Sequence, residues 1–233
     1  MGLDYEFMWK AFPDILSYLP VTLKLTAGAL ILSVPFALLF AMIQIRKVPL
    51  LRKIVSIYLS LIRGTPIILQ IFVIYNLMPY LLQKYADARG MNLNIYDLNG
   101  MWYAYIALSL SATAFLTEAF RASIETVDKG QFEAACMVGM SRGQAYRRII
   151  FPQAAGVAMP VITNVVVDTI KATSLAFAMA VTEVTGRAKI LGGENLRYFE
   201  AYLDIFLVYV IVIGITEILL KKLEKYCVRY RVA

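Results

Sequence analysis

The hydrophobic residues of this chain lie in long runs instead of alternating with polar residues. Five runs approach or exceed the roughly 20 apolar residues that a helix needs to cross the hydrocarbon core of a bilayer. They cover residues 20–45, 66–82, 101–120, 152–171 and 202–220. The pattern therefore predicts an all-α integral membrane protein with five transmembrane helices.

The second run begins as early as residue 54, which makes it too long for one straight crossing. The sequence Arg63-Gly64-Thr65-Pro66 interrupts it. Because proline is favoured in the first turn of a helix, we expect the transmembrane helix to begin near Pro66. Residues 54–62 then form an interfacial lead-in. In the first run, Pro35 predicts a kink.

Composition agrees with a membrane protein and excludes several other classes. Hydrophobic residues make up 60% of the chain, whereas soluble domains contain about 45–50% by a wider definition. There is no histidine, and the two cysteines, Cys136 and Cys227, have no C-x-x-C spacing. We therefore expect no disulfide framework, no metal site and no cofactor on this chain. The net charge of +7 does not indicate nucleic acid, because the basic residues cluster at the ends of the apolar runs.

The distribution of lysine and arginine predicts the orientation of the spans, because cytoplasmic segments carry an excess of both. With an extracytoplasmic N-terminus, most of the 23 basic residues fall on the inner side. These inner residues are Arg46, Lys47, Arg52, Lys53, Arg63, Arg121, Lys129, Arg142, Arg147, Arg148, Lys221, Lys222, Lys225, Arg229 and Arg231. We therefore expect an extracytoplasmic segment 1–19, a transmembrane domain 20–220 and a basic cytoplasmic tail 221–233.

This orientation places the loop 121–152 in the cytoplasm. Its GMSRG sequence around Ser141 matches the G-x-S-x-G elbow of serine hydrolases, but without histidine no catalytic relay can form. Instead Asp128 with Gln131, and Ser141 with Gln144, each have the spacing of a helix-capping box. Gly139 lies between the two boxes and can end a helix. The sequence predicts two short helices that meet near Gly139.

Ala134 and Ala135 are expected to leave a flat patch on the first of these helices, where another protein can approach closely. A hairpin that packs only on itself remains an alternative for the same residues. The spacing alone does not separate the two.

Several motifs together resemble a known family. One stretch resembles the EAA signature of the membrane subunits of ATP-binding-cassette importers. It contains Glu133-Ala134-Ala135, then Gly139, nine intervening residues, and Ile149-Ile150-Phe151-Pro152, in which Phe151 replaces the usual leucine. The further motifs resemble the permeases for polar amino acids in particular. They are Arg63-Gly64-Thr65-Pro66, Glu118-x-x-Arg121, Asp128-Lys129-Gly130-Gln131, and Asn164 with Lys171-Ala172-Thr173-Ser174-Leu175.

This resemblance implies a translocation subunit in a bacterial plasma membrane. It would pair with a second permease subunit, the same chain or a sibling, and contact two cytoplasmic ATPase subunits. A binding protein outside the cell would deliver a polar amino acid. ATP and Mg²⁺ would bind the partner ATPases, because this chain has no G-x-x-x-x-G-K-[ST] loop. The implied coupling residues are Gly130, Gln131, Glu133, Ala134, Ala135, Gly139, Ile149 and Pro152.

Ionisable residues inside spans are costly and are usually paired or functional. Asp168 and Lys171 share a helix face and can neutralise each other. Alternatively, Lys171 lies near the solute path with Thr173 and Ser174. Asn164 and Gln70 complete this candidate path, and Asn76 is a weaker candidate.

Other polar residues have structural interpretations. We expect Glu118 and Arg121 to brace the third span against the cytoplasmic loop, and Arg63 and Lys24 to reach toward the membrane interfaces. Residues 185–200 are glycine-rich and charged, which predicts a flexible outer segment that contacts a soluble partner or is simply solvated.

Two other functions fit parts of the pattern. An ATP-independent membrane channel or carrier explains the spans but gives the capped loop no role. An intramembrane enzyme fits least, because histidine is absent and no paired-aspartate arrangement is present.

Overall fold

The computed structural model describes residues 2–228, with side chains through Tyr226. All the regular structure in this part of the chain is helical, which confirms the predicted all-α class. The principal helices are α1 Tyr5–Ser17, α2 Leu19–Arg46, α3 Pro49–Gly64, α4 Ile67–Ala88, α5 Gly100–Thr126, α6 Lys129–Met137, α7 Arg142–Ala145, α8 Phe151–Ala172, α9 Val184–Asn195 and α10 Tyr198–Val228. Two short 3₁₀ turns cover Ile95–Asp97 and Thr173–Met179.

Among the described residues, four helical segments are long and apolar enough to cross a membrane. They are Tyr5–Arg46, Ile67–Ala88, Arg142–Met179 and Tyr198–Tyr226. The chain is therefore an integral membrane protein, while the count of five spans is not established by these segments.

Helix α5, which the sequence predicts as the third span, is the helix missing from this group. It lies at the centre of the fold and packs against α2, α3, α4 and α8. Its residues Tyr103, Ala104, Leu108 and Leu116 are almost completely buried. A helix surrounded by protein does not need a uniformly apolar surface, which explains its lower hydropathy.

Small side chains line the largest helix contact, between α2 and α5. Ala29, Ala37 and Ala104 are fully buried or nearly so, and such residues let helix backbones approach closely in membranes. The Ser33 hydroxyl donates to the Ala29 carbonyl oxygen at 2.6 Å and is 3.0 Å from the Ser109 carbonyl oxygen of α5. Helix α2 continues through Pro35.

The predicted interruption of the second run is present between α3 and α4. Thr65 and Pro66 are extended, and α4 begins at the next residue. The Gln70 side-chain amide donates to the Ile62 carbonyl oxygen at 2.8 Å and to the Thr65 carbonyl oxygen at 3.0 Å. Gln70 therefore stabilises the break.

The prediction of a flexible outer segment at residues 185–200 is wrong. Most of it forms α9, whose first turn is capped by the buried Glu183 carboxylate. One carboxylate oxygen accepts from the Thr185 N–H at 2.9 Å and the other from the Gly186 N–H at 2.8 Å. Val184 and Ala188 are buried in a cluster shared with α1, α8 and α10. The segment is ordered because it has its own apolar face.

The two termini of the chain also contain helix. The N-terminal segment 1–19 includes α1, which packs against α9 and α10. Helix α10 continues to Val228, through the first part of the predicted basic tail. Arg229 and Arg231 lie outside the described residues, as does the side chain of Cys227.

Candidate functional site

The first half of the candidate site is the connection between α5 and α8, which we call the elbow (residues 128–152). Helix α6 is capped by Asp128, whose Oδ1 accepts from the Gly130 N–H at 2.6 Å. It ends with Gly139 in the left-handed region, at φ +86°. The Met140 N–H bonds to the Ala135 carbonyl oxygen and the Gly139 N–H to the Cys136 carbonyl oxygen. These two bonds define a Schellman ending.

The capping box at Ser141 is confirmed. Its Oγ accepts from the Gln144 N–H at 3.3 Å, and the Gln144 side chain accepts from the Ser141 N–H at 2.9 Å. Ser141 is therefore a structural residue. At Asp128 the side-chain cap forms without the return bond expected from the Gln131 side chain.

The second helix of the elbow differs from the prediction of a short, separate helix. Helix α7 continues through a π-helical turn, Tyr146–Ile150, directly into α8. Pro152 is the second residue of α8, directly after the π turn, and as a proline it has no N–H to donate to the preceding turn. The chain is therefore continuously helical from Arg142 to Ala172.

The inner face of the elbow packs on the membrane helices. Ala135, Ala145 and Ile150 are buried, and the Phe132 and Tyr146 rings lie 5.5 Å apart between centroids. Ile124 of α5 joins the same apolar cluster. Ala135 thus belongs to the base of the elbow, which corrects the expectation that Ala134 and Ala135 together form a surface patch.

The outer face of the elbow exposes two large apolar side chains that the sequence reasoning missed. Met137 is 87% exposed and Val138 is 76% exposed, directly before Gly139. Ala134 is exposed beside them. The available signal was the pair of large apolar residues at the end of α6, directly before Gly139. We call Ala134, Met137 and Val138 the elbow tip.

The remaining predicted coupling residues divide between the two faces. Gly130, Gln131, Glu133 and Gly139 are exposed, whereas Ile149 and Pro152 are half-buried. Their assignment to coupling remains a prediction.

The second half of the candidate site is a cavity of about 470 Å³ between α5 and α8. Its lining includes the charged or amide side chains of Arg63, Glu118, Asn164 and Asp168, together with hydroxyl and apolar side chains. The Arg63 guanidinium lies 3.8 Å from the Glu118 carboxylate and 5.9 Å above the centre of the Phe115 ring. Arg63 is thus paired at the cavity.

Only one of the five predicted path residues, Asn164, lines this cavity. Thr173 is completely buried and bonds to the Ile170 carbonyl oxygen at 2.7 Å. Ser174 bonds to the Lys171 carbonyl oxygen at 2.7 Å, and Gln70 is engaged at the α3–α4 break. Asn76 bonds within α4, to the Phe72 carbonyl oxygen.

The predicted Asp168–Lys171 pair is present, with the Lys171 Nζ 3.5 Å from the Asp168 Oδ1. Asp168 also lines the cavity, a position the sequence did not indicate. Asn164, Asp168 and Lys171 are all exposed and follow one another at helical spacing. They form a polar face along α8.

Glu118 and Arg121 do not contact the elbow in the described contacts. Arg121 bonds to Glu118 at 2.7 Å and to Glu125 at 2.6 Å, all on α5. Ile124 contacts the elbow instead. The described contacts therefore do not show the predicted brace by Glu118 and Arg121, and the contact between α5 and the elbow is apolar. Residues 2–228 contain no group of three His, Cys, Asp or Glu side chains that could hold a metal ion.

An all-helical membrane protein with a capped surface elbow joined directly to a cavity-lining helix has the features expected of the membrane subunit of a transporter. Residues 33–225 match the family described as binding-protein-dependent transport system inner membrane component. The chain belongs to this family.

Full-length relatives support the assignment. The probable amino-acid permease protein YxeN of Bacillus subtilis is 38% identical over 223 residues, 96% of this chain and 95% of the relative. The probable amino-acid ABC transporter permease protein PatM of Vibrio harveyi is 35% identical and covers 90% of this chain and 89% of its own length. The L-cystine transport system permease protein TcyL of B. subtilis is 33% identical, with 96% and 91% covered.

Solved structures agree. A crystal structure of an amino acid ABC transporter with histidines matches at a TM-score of 0.80 and 30% identity, covering 97% of this chain and 100% of that chain. An inward-facing structure of the MetNI methionine ABC transporter matches at a TM-score of 0.69 and 15% identity, covering 97% and 99%. The latter shows a shared fold alone.

Family membership decides between the functions left open by the sequence. The chain is a membrane-embedded transport component and not an enzyme, and nucleotide chemistry belongs to partner ATPase subunits. Membership also implies a partner permease. The ATP-independent channel and the intramembrane enzyme are set aside.

Proposed function

We propose that this chain is the translocation subunit of an ATP-driven importer of polar amino acids, and that the elbow tip is the part that docks into the ATPase. The observation that carries the proposal is the contrast between the two faces of the elbow. Met137 and Val138 are exposed, although the same segment buries Ala135 and Ile150 on its base. Exposed apolar residues on a rigid support are typical of a docking surface.

The amino-acid solute comes from the relatives, whose names describe amino-acid permeases. The cavity supports a small polar solute. Its volume of about 470 Å³ lies within the usual range of ligand pockets, about 300–1,000 Å³. Arg63 offers a cation, and Glu118 and Asp168 offer carboxylates, so both charged ends of an amino acid have a counterpart.

The arrangement in the membrane follows from the same proposal. Helices α2, α4, α5, α8 and α10 form five spans, with the N-terminus outside and the elbow in the cytoplasm. The polar face of α8, with Asn164 and Asp168, faces a second permease subunit across the solute path. Motion of the ATPases is transmitted from the elbow through the π turn to α8, which alternates access to the two sides. A binding protein delivers solute from outside.

The elbow tip is tested by replacing Met137 with aspartate in the permease co-expressed with its cognate ATPase. Burying a methionine contributes about 1.5–3 kcal/mol, so we expect the ATPase retained on affinity purification to fall about tenfold or more. ATP-dependent uptake of labelled polar amino acids into proteoliposomes should fall with it.

Leu93→Asp is the matched control. Leu93 is an exposed apolar residue similar in size to Met137, but it follows α4 and lies at the opposite end of α5 from the elbow. It should retain the ATPase at the wild-type level. Wild-type retention by Met137→Asp would contradict docking at the elbow tip.

A further inference from the structure

Helix α1 has three distinct faces around its circumference. With about 100° per residue, Tyr5, Trp9 and Leu16 fall within one sector of about 40°. Glu6 and Lys10 occupy the neighbouring sector, centred about 100° away. Ala11 and Ile15 occupy a third sector and are buried against α9 and α10.

The first sector has no protein partner among the described residues despite its large aromatic side chains. Trp9 is 85% exposed and Tyr5 is 72% exposed, and Leu16 is exposed with them. An apolar surface of this size is unfavourable in water. Leu23 of α2 is exposed as well, and it lies in a helical segment long and apolar enough to cross a membrane.

The second sector rules out burial of α1 in the hydrocarbon core. Glu6 and Lys10 are exposed, and within the part of the chain that the structure describes they bond to each other, at 2.6 Å. Charged side chains at the bilayer centre are strongly disfavoured. Glu6 lies only about 60° around the helix from Trp9. The apolar face needs lipid and the charged pair needs water, so the two are satisfied together only at the boundary between lipid and water.

Helix α1 is not needed to cross the membrane. Helix α2 has 28 residues, which at 1.5 Å per residue span about 42 Å, more than the roughly 30 Å hydrocarbon core. Tyr18 separates the two helices. The charged pairs Asp14–Arg187 at 2.5 Å and Asp4–Arg197 at 3.2 Å tie both ends of α1 to the α9 region.

We propose that α1 is an interfacial anchor, with Tyr5, Trp9 and Leu16 inserted among the headgroups and upper acyl chains of the bilayer and Glu6 and Lys10 facing water. In the orientation proposed above, the leaflet is the extracytoplasmic one. Aromatic residues are enriched at this depth because their rings are apolar and their edges can hydrogen-bond. The two ion pairs transmit the position of the anchor to α9 and hence to the start of α10.

The chain contains two tryptophans, Trp9 and Trp102, which permits a direct measurement of depth. The Trp102→Phe variant of the full chain leaves Trp9 as the only tryptophan. Its fluorescence is measured in proteoliposomes made with phospholipids brominated either near the headgroup or near the chain end. We expect quenching by the shallow label to exceed quenching by the deep label by about twofold.

A matched variant moves the reporter to the charged sector. Lys10→Trp, combined with Trp9→Phe and Trp102→Phe, should be quenched by aqueous iodide and only weakly by either lipid. Absence of lipid quenching at Trp9 would overturn the proposal and assign this face to water, a second permease copy or another protein. Stronger quenching by the deep label would overturn it in favour of a membrane-crossing helix. Neither result depends on uptake or on ATPase binding, so the proposed function is tested separately.

Discussion

The elbow and the α9 segment are both helical connections, and both end a helix with a residue in the left-handed region. In the elbow that residue is Gly139, at φ +86°, and after α9 it is Leu196, at φ +56°. Glycine adopts this conformation without strain, whereas leucine pays about 1–2 kcal/mol. The elbow therefore follows the local rules of helix termination, and α9 breaks them.

The starts of the helices differ in the same way. Asp128 and Ser141 are preferred N-cap residues and bond to nearby backbone N–H groups at the surface. Glu183 is an unusual cap, and it is completely buried. Local chemistry thus shapes the elbow, while tertiary contacts shape α9. A docking element must keep its shape while one face is exposed, which favours local determinants.

The largest effect is expected from replacing Gly139, the left-handed residue that ends the first helix of the elbow. Gly139→Leu forces a branched side chain into the left-handed region at a site next to Met137 and Val138. We expect ATPase retention and uptake to fall to background while membrane insertion, measured by fractionation, stays intact. The free energy involved is about 1–2 kcal/mol of backbone strain, added to a bulky group on the proposed docking surface.

Gly143→Leu is the control for added volume in the elbow. Gly143 lies in α7 without a positive φ, and a Cβ there meets nothing within 4 Å. This variant should keep most of its activity. Wild-type uptake and ATPase retention in Gly139→Leu would refute the importance of the left-handed turn.

An intermediate effect is expected from removing Glu183, the buried side chain that caps α9. Glu183→Ala leaves the N–H groups of Thr185 and Gly186 buried without partners, which costs about 2 kcal/mol or more. For a chain of this size, that lowers the melting temperature by roughly 4–8 °C. The measurement is thermal unfolding in nanodiscs.

Glu194→Ala changes the same residue type at an exposed position of α9 and should leave the melting temperature nearly unchanged. Equal destabilisation by the two variants would show that Glu183 has no special role as a cap.

The same contrast explains what could be predicted from the sequence. Periodicity and length identify the helical membrane class, and Asp128, Gly139 and Ser141 identify the elbow because their roles depend on neighbours within three residues. The Arg63–Pro66 interruption is equally local. These features are decided by short-range backbone chemistry.

Long-range packing decides the features that were missed. The partners of Arg187 and Arg197 are Asp14 and Asp4, more than 170 residues away in the chain. No local signal in glycine-rich residues 185–200 indicates that they bury an apolar face.

The candidate site follows the same rule. Asn164 was identified through its motif, whereas Asp168 reaches the cavity only because α8 packs on α5. Gln70 looked like a path residue, since a polar side chain in a span suggests function. Its amide instead satisfies carbonyl groups freed by the break before α4. The face of a helix that lines a cavity depends on which other helices pack against it, and the sequence pattern does not predict that packing.

The smallest effect is expected when the residue that ends α9 is replaced by glycine, the residue that ends α6 in the elbow. Leu196→Gly removes the left-handed strain of a leucine that is almost entirely exposed, so little buried area is lost. The gain of about 1–2 kcal/mol is offset by about 0.5–1 kcal/mol because glycine makes the unfolded chain more flexible. We expect a net stabilisation of about 0–1.5 kcal/mol, which raises the melting temperature by at most roughly 3–6 °C, with uptake unchanged. A fall in melting temperature would mean that the Leu196 side chain contributes through contact with lipid or a partner. The comparison of the Gly139 and Leu196 backbones would then fail, because the contacts of the leucine side chain would outweigh the strain of its left-handed conformation.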